Sequence, residues 1–364
     1  MPQISVLVVD DSVVIRRLVT DALQAEPDIR VVGTAPNGRV ALAKIAQLAP
    51  DIVTLDIEMP EMDGLTTIKE IRKTHKKLPV IMFSTLSVSG GAATLEALSS
   101  GASDYVTKPA NVGSVRESMA SVREQLIPRI RALCGRRAPT AARLTPRPVK
   151  TAAPVGPPQQ IDVLAVGCST GGPEALTTVL TRLPADLPVP VVVVQHMPPV
   201  FTRLFAERLD RACKLTVTEA VDGTTLQPGH VYVAPGDHHL EVVRVGTATR
   251  TRLHEGPPEN FCRPAVDVLF RSVASAYRGN ALALVLTGMG QDGKRGAEHL
   301  REAGSRIVVQ DEATSVVWGM PGAVAGAGLA EAVLPLDQIG SAVLERITAI
   351  RRHPEPAGAP RSWR

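Results

Sequence analysis

The sequence predicts an α/β protein that consists of two doubly wound domains. Three observations support this prediction: the length of 364 residues, the repeated alternation of short apolar runs with amphipathic ones, and a proline-rich segment that interrupts the alternation after residue 134. The length is more than twice that of a typical single domain. Alternating strand and helix patterns are typical of parallel sheets with helices on both faces.

Five strand-like runs precede the interruption, and a helical pattern follows each of them. The runs are ISVLVV (4–9), IRVVG (29–33), DIVTLD (51–56), PVIMFS (79–84) and SDYVT (103–107). Short apolar strands separated by helices predict a parallel sheet of the flavodoxin-like kind in residues 1–125. In such a sheet, functional residues gather where the carboxyl ends of the strands meet.

Residues 126–160 are predicted to be the end of a helix followed by a linker. The stretch 135–160 holds six prolines and five basic residues, but no acidic residue and almost no large apolar side chain. It cannot build a core, so we expect an extended, semi-rigid connection. Residues 351–364 are predicted to be a disordered tail.

Residues 161–350 form the second predicted domain. Its apolar strands include DVLAVG (162–167), VPVVVVQH (189–196), HVYVAPG (230–236) and ALALVLTG (281–288). These strands predict a Rossmann-like, mostly parallel sheet. Some antiparallel pairing is expected around LTVTEA, HVYVAP and LEVVRV.

Composition and charge argue against several classes of function. The net charge is +4, and no compact basic face with interleaved aromatic residues is visible, so nucleic acid is not an expected partner. No apolar run reaches the roughly 18–20 residues that span a bilayer. The N-terminus lacks the features of a signal peptide, so we expect a cytoplasmic protein without membrane insertion. The four cysteines form no CxxC pair, which argues against a disulfide framework and a zinc site.

Charged residues follow several strand ends of the first domain. Asp10 and Asp11 follow the first strand, Asp56 ends the third, and Lys108 follows the fifth. Three carboxylates at one edge would repel each other without a cation, and oxygen-rich sites suit Mg²⁺. Ser84, at the end of the fourth strand, could add a hydroxyl donor. A single acidic residue at a strand end more often caps a helix, but matching positions on successive strands favour a site.

The motifs VVDDS, LDIEMPEMDG and YVTKP, together with Ser84, resemble the response-regulator receiver domain over nearly all of residues 1–125. The resemblance implies that Asp56 accepts a phosphoryl group from a sensor histidine kinase. The implied Mg²⁺ ligands are Asp10, Asp11, Asp56 and a backbone carbonyl near Glu58. The residues implied to respond to phosphorylation are Ser84, Tyr105 and Lys108.

The turn GCSTGGP, after the strand DVLAVG, could cradle a phosphate or present Ser169 as a nucleophile. Residues 167–171 satisfy G-x-S-x-G, in which glycines let the backbone turn sharply and expose the hydroxyl. Pro173 and Glu174 suit the first turn of a helix, so amides in 170–172 could form an oxyanion hole. Neither a dinucleotide fingerprint nor a P-loop is present, which disfavours nucleotide binding.

Two further strand ends supply a candidate base and acid. His196 follows VPVVVV, and histidine suits general-base work near neutral pH, although a lone histidine is more often structural. Asp292 lies in the glycine-dense loop LTGMGQDGKRG. Asp267 is an alternative acid, but we expect it inside a helix that begins at Pro264. The pair His238–His239 is a rival to His196, yet neighbouring residues on an extended chain point to opposite faces.

The order of the candidate residues along the chain separates two hydrolase folds. Ser169, His196 and Asp292 occur in that order, whereas α/β-hydrolases run serine, acid, histidine. The α/β-hydrolase fold is therefore disfavoured despite the G-x-S-x-G match.

The motifs GCSTGGPEAL, QHMPP, YVAPGDHHL, RPAVDVLF and LTGMGQDGKRG are similar to the catalytic domain of the chemotaxis protein-glutamate methylesterase (CheB) family. A receiver joined by a linker to this domain is that family's architecture. The resemblance implies that Ser169 is the nucleophile, His196 the general base and Asp292 its orienting partner. Thr170 and Met289 match positions near the oxyanion and the substrate.

The same resemblance implies the substrates and partners. These are glutamyl methyl esters, and selected glutamines, on methyl-accepting chemoreceptors, with a sensor kinase of the CheA type as phosphodonor. It implies a monomer without a cofactor in the second domain, whose active-site face the unphosphorylated first domain covers. Cys168 departs from the family, in which alanine is commoner. Two alternatives stay open: a DNA-binding regulator, for which no basic recognition helix is visible, and a non-catalytic adaptor.

Overall fold

The computed structural model describes residues 3–108, 115–135 and 160–349. The interior of the predicted linker and the predicted tail at 351–364 lie outside these residues. Among the described residues, no helix is long and apolar enough to cross a membrane.

The first domain contains one five-stranded sheet in the order β2-β1-β3-β4-β5, with every pair parallel. Helices pack on both faces, as the separate apolar clusters on the two sides of the sheet indicate. Polar side chains at 12, 37, 63 and 87 cap the first four helices by accepting a hydrogen bond from an amide three residues on. The elements are β1 Ile4–Val9, α1 Val13–Gln24, β2 Ile29–Ala35, α2 Gly38–Leu48, β3 Ile52–Asp56, α3 Gly64–Thr74, β4 Val80–Ser84, α4 Val88–Ser99, β5 Asp104–Thr107 and α5 Val115–Cys134.

The second domain contains a seven-stranded sheet in the order β14-β13-β12-β6-β7-β9-β8. Apolar residues of α6, α7 and α11 cover one face, and those of α8, α9 and α10 cover the other. The two predicted α/β domains are thereby confirmed. The elements are β6 Val163–Cys168, α6 Gly172–Leu180, β7 Val191–Gln195, α7 Phe201–Ala212, β8 Thr216–Glu219, β9 His230–Val233, β10 His239–Val245, β11 Ala248–His254, α8 Val266–Tyr277, β12 Ala281–Val285, α9 Lys294–Glu302, β13 Arg306–Gln310, α10 Met320–Gly326, β14 Ala332–Leu334 and α11 Leu336–Thr348.

The predicted antiparallel pairing was only partly correct. LEVVRV forms β10 and pairs antiparallel with β11 in a separate two-stranded sheet. LTVTEA and HVYVAP form β8 and β9, which pair parallel with each other, and β9 pairs parallel with β7. The physical reason is the connection 220–229 between β8 and β9, which exceeds the few residues of a hairpin loop and can return the chain to the same end of the sheet.

The two domains pack against each other through α4, which lies on α6 and α7. One apolar cluster is continuous across both domains, and the rings of Tyr105 and Phe201 stack within it with centroids 5.1 Å apart. Gly91 permits this approach of the helices, because a Cβ there would lie 2.8 Å from Leu204 Cδ1. Ser99 adds a polar contact by donating a hydrogen bond to Glu174 Oε1 at 2.6 Å.

Candidate active site and acidic site

Three neighbouring strands position the candidate catalytic residues. The central strand β6 lies between β12 and β7, so the carboxyl ends of all three meet at one edge of the sheet. Ser169 follows β6, His196 follows β7, and Asp292 lies in the loop after β12. Parallel topology therefore brings together residues that are far apart in the sequence.

The backbone holds Ser169 in a tight turn at the start of α6. Its amide donates to Thr287 O at 3.1 Å, and its carbonyl accepts a bond from the amide of Gly172 at 2.7 Å. Gly171 caps the helix with φ +74°, a conformation that favours glycine. Among the described residues, the amide hydrogens of Thr170 and Gly171 meet no acceptor. These two amides are therefore available to bind an oxyanion.

A partly buried hydrogen bond joins His196 to Asp292. Nε2 of the histidine lies 2.8 Å from Oδ2 of the aspartate, which is 2% exposed. Asp292 caps the N-terminus of α8, where the helix dipole favours a carboxylate. Its further donors are the amides of Val266, Asp267 and Gly293 and the side chain of Asn260.

This bond sets the charges of the pair. Burial disfavours a charge on His196, but the hydrogen bonds with Asp292 and Cys262 outweigh it and raise the pKa of the imidazole to about 10. Burial likewise opposes the charge of Asp292, and the bond to His196 nevertheless holds its pKa below the usual range. In this closed conformation these interactions favour an imidazolium beside a carboxylate, and His196 can accept a proton only in its neutral form.

The two ring nitrogens of His196 have different partners. Nε2 is bonded to Asp292, and Nδ1 lies 3.6 Å from Sγ of Cys262. Ser169 and His196 line the same cavity, but no hydrogen bond joins them in this conformation. A hydrogen bond between Ser169 and His196 would therefore require a rearrangement within the site.

The first domain closes this cavity, whose volume is about 10 Å³, room for one water molecule. The Thr170 hydroxyl donates to Oδ2 of Asp104 on β5 at 2.7 Å, and Nε of Arg129 donates to the same oxygen at 3.2 Å. Residues of both domains line it: Leu98, Asp104, Tyr105 and Arg129 from the first, and Ser169, Thr170, Gly171, Pro173, Gln195 and His196 from the second. A glutamyl side chain does not fit in this space.

The alternative candidates lie elsewhere. Asp267 does not contact His196; it accepts bonds from Asn260 Nδ2 and from the amide of Gly296, and burial together with nearby Asp292 raises its pKa. The rings at 238 and 239 have separate partners, Glu255 for the first and the Pro257 carbonyl for the second. Met289 is half-buried in the loop after β12, beside a glycine that packs against Ser169.

Sequence reasoning missed three residues of this site. Gln195 Nε2 donates to the carbonyls of Ser169 and His196, at 3.1 and 3.2 Å, and so ties the two loops together. Asn260 binds Asp292, and Cys262 contacts His196. The available signal was proximity in the sequence, because Gln195 precedes the histidine and the other two precede the motif RPAVDVLF.

A second group of charged residues lies at the carboxyl edge of the first sheet. Asp10, Asp11 and Asp56 each offer an oxygen within 4.8 Å of the others, a donor set that fits Mg²⁺. Lys108 Nζ lies 2.9 Å from Asp10 Oδ2 and 2.8 Å from Asp56 Oδ2. Burial, together with the charge of Asp10, raises the pKa of Asp56 to about 6 despite its bond to Lys108.

Of the remaining predicted residues of the first domain, Glu58 and Ser84 lie beside this group, whereas Tyr105 lies apart from it. Glu58 and Ser84 line a pocket of about 140 Å³ with Asp11, Asp56 and Lys108. The Ser84 hydroxyl donates to the carbonyl of Gly90 at 3.1 Å. Tyr105 lies in the interface between the domains, against Phe201.

Comparison with known proteins matches both domains to described families. The response regulator receiver domain matches residues 6–120, and the CheB methylesterase domain matches residues 164–343. A protein-glutamate methylesterase/protein-glutamine glutaminase of Nocardioides sp. is 59% identical over 365 residues, covering 99% of this chain and all of the relative. The second such enzyme of Pseudomonas aeruginosa is 48% identical, over 94% of this chain and 97% of the relative.

A solved structure gives the same result for the second domain. The crystal structure of the Thermotoga maritima CheB methylesterase catalytic domain is 41% identical and covers 51% of this chain and 98% of that one, with a TM-score of 0.50. Because identity is high over the full length and both domains match, the chain belongs to the CheB family of protein-glutamate methylesterase/protein-glutamine glutaminases, hydrolases that carry a response-regulator receiver domain.

Proposed function

We propose that this protein hydrolyses glutamyl methyl esters on chemoreceptors, and deamidates receptor glutamines, through Ser169, His196 and Asp292. The observation that supports this most directly is the placement of the three on adjacent strand ends, with His196 bonded to Asp292 and Ser169 in the same cavity. We place the reaction in the cytoplasm and expect a monomer.

In the reaction we propose, the proton is transferred at the ring nitrogen of His196 that does not bind Asp292. With His196 in its neutral form, the Ser169 hydroxyl attacks the ester carbonyl and passes its proton to Nδ1, while Nε2 stays bonded to Asp292. The amides of Thr170 and Gly171 bind the oxyanion. Methanol then leaves with the proton from His196, and water attacks the acyl-serine to release a free glutamate. With a glutamine substrate, ammonia is the leaving group.

The β5 strand connects the acidic site to the closed cavity. It carries Asp104, which binds Thr170, and Tyr105, which stacks on Phe201; Lys108, which binds Asp56, follows it. We propose that phosphorylation of Asp56 draws Lys108 to the phosphoryl group and weakens these contacts. The two domains then separate and the cavity opens.

The acidic site would hold Mg²⁺ through Asp10, Asp11, Asp56 and a backbone carbonyl near Glu58. The ion would neutralise charge on the phosphoryl group during transfer from a CheA-type kinase. Asp56 supplies the attacking carboxylate oxygen. Ser84 and Lys108 lie beside it and would bind the phosphoryl group once it is attached to Asp56.

Replacing Asp56 with asparagine should abolish phosphorylation and activation together, since an amide oxygen is a far weaker nucleophile than a carboxylate. We expect no shift on a phosphate-affinity gel and no stimulation of methanol release by a small acyl phosphate. Asp21→Asn on the exposed surface of α1 is the matched control. Stimulation of the Asp56 variant to the wild-type level would contradict the assignment.

Raising the pH from 6.5 to 10 should destabilise the unphosphorylated protein in part through His196. Its pKa lies near 10 in the folded protein and at 6.5 in the free side chain, so the folded state holds the proton more tightly. The resulting stabilisation is full below pH 6.5 and is lost as the pH rises through 10. Thermal unfolding of wild type and His196→Gln across this range measures the effect, because other titrating groups are common to both. An equal dependence of the unfolding temperature on pH in the two proteins would contradict the ion pair.

A methanol-release assay on methylated receptors, with and without a phosphodonor, tests the proposed function. Release that rises with the phosphodonor is the expected result. Labelling of Ser169 by a fluorophosphonate probe separates the enzyme from a non-catalytic adaptor, which would not react.

A further inference from the structure

A two-residue turn beside the active site carries a fully exposed phenylalanine. The amide of Glu259 donates to the carbonyl of Cys262 at 3.1 Å, and the amide of Cys262 donates to the carbonyl of Glu259 at 2.8 Å. Between them, Asn260 has φ +51° and Phe261 has φ +63°. Positive φ at both central positions is the pattern of a type I′ hairpin turn.

The residue at the second central position is unfavourable for this turn. Type I′ turns prefer Asn-Gly, so Asn260 fits, but Phe261 stands where glycine is favoured. A bulky side chain rarely adopts the left-handed region. The Phe261 side chain is fully exposed and is the most exposed of the large hydrophobic residues in the described part of the chain. Packing within the protein therefore does not offset the unfavourable conformation, a combination typical of residues retained for function.

The two neighbours of Phe261 fix the turn to the catalytic residues. Asn260 Nδ2 donates to Asp292 Oδ1 at 2.9 Å, and Cys262 Sγ lies 3.6 Å from His196 Nδ1. The carboxylate of Glu259 accepts a hydrogen bond from Arg271 of α8 at 2.9 Å, which anchors the turn to that helix. The turn thus presents Phe261 outward at a defined position relative to His196 and Asp292.

Phe261 also forms part of an open groove next to the closed cavity. The groove has a volume of about 230 Å³, and His196, Met197, Pro198 and Cys262 line it together with Phe261. Residues of α5 and β5 form the opposite wall. Although the receiver domain is this close, the ring of Phe261 stays exposed, so the packing of the two domains does not use it.

We propose that Phe261 is a specificity-determining residue that contacts the apolar side chains flanking the esterified glutamate on a receptor helix. This inference rests on the proposed function. Residues three or four positions from a helical glutamate lie on the same face of the helix, so an apolar side chain there approaches the groove together with the ester. An aromatic ring held by a rigid turn can bind such a side chain at little entropic cost, and aromatic residues, phenylalanine included, are enriched at protein interfaces. A small ester lacks this contact.

The test compares Phe261→Gly, Phe261→Tyr and wild type, with Val245→Ala as a control for loss of an exposed apolar residue at the end of β10. Methanol release from methylated receptor and from a doubly blocked glutamate γ-methyl ester gives kcat and KM for each, with a phosphodonor present. Thermal unfolding gives Tm. All variants are made in the full-length chain.

We expect Phe261→Gly to raise KM for the receptor about tenfold or more, with a smaller change in kcat. The ratio of kcat/KM for the receptor to that for the small ester should fall by a similar factor. Tm should stay or rise by about 2–4 °C, because glycine relieves the left-handed conformation. Phe261→Tyr should keep most of the receptor activity, and Val245→Ala should match wild type.

Three results would overturn the inference: an unchanged KM for the receptor, an equal loss on both substrates, or a loss accompanied by a lower Tm. The last two would indicate a role in supporting the catalytic residues. If wild type itself releases no methanol from the receptor, the proposed function is wrong and the inference is rejected with it.

Discussion

Replacing Ser169 with alanine should lower methanol release from methylated receptor by about 10⁴-fold or more. In the proposed mechanism this hydroxyl forms the covalent intermediate, and the neighbouring hydroxyl of Thr170 is bonded to Asp104 instead. His196 and Asp292 would then have no nucleophile to activate. The measurement is methanol release in the presence of a phosphodonor.

The control for this variant is Ser341→Ala, which removes an exposed hydroxyl from α11 on the same domain. Alanine is well tolerated in a helix, so the control should retain wild-type activity and stability. The amides of Thr170 and Gly171 remain in the Ser169 variant, so a small residual rate is compatible with the mechanism. Near-normal release would show that another residue is the nucleophile.

Removing the receiver should raise the activity of the unphosphorylated protein about tenfold or more. In the full chain the cavity at Ser169 has a volume of about 10 Å³, and the hydroxyl of Thr170 donates a hydrogen bond to Asp104 of the receiver. A chain that begins at residue 160 lacks both obstacles. Initial rates of methanol release, compared at equal enzyme concentration without a phosphodonor, measure the difference.

A point substitution tests the same closure without removing a domain. Asp104→Ala deletes the acceptor shared by Thr170 and Arg129, while the apolar contact of Tyr105 with Phe201 remains. It should therefore raise the unphosphorylated rate by less than removal of the whole domain does. Because the shortened chain exposes Phe201, its monodispersity should be checked first. Equal rates for all three proteins would contradict inhibition by the receiver.

The sequence supported the predicted fold because the pattern of a parallel sheet is local. Most strands are short apolar runs, and the first four helices begin at polar caps, as at Ser12 and Asp63. Once the strands are placed, parallel topology puts their carboxyl ends at one edge. The sequence therefore predicts that Ser169, His196 and Asp292 form a single site.

Local pattern was insufficient where the direction of a strand depends on the path of a loop. The run LTVTEA was predicted to pair antiparallel, but β8 lies parallel to β9 because a long connection reverses the chain between them. The bonds of Asn260 to Asp292 and of Cys262 to His196 were likewise not predicted. They depend on how one turn packs against two strand ends.

By itself, the sequence determined the two-domain α/β architecture, the family and the candidate chemical residues. The tertiary structure alone decided that Thr170 binds Asp104, that Nε2 of His196 binds Asp292, and that Phe261 stands exposed beside the site. The physical reason is separation along the chain: Thr170 and Asp104 are 66 residues apart and His196 and Asp292 are 96 apart. Contacts of this kind arise from the docking of strands, loops and domains, which periodicity and motif spacing do not encode.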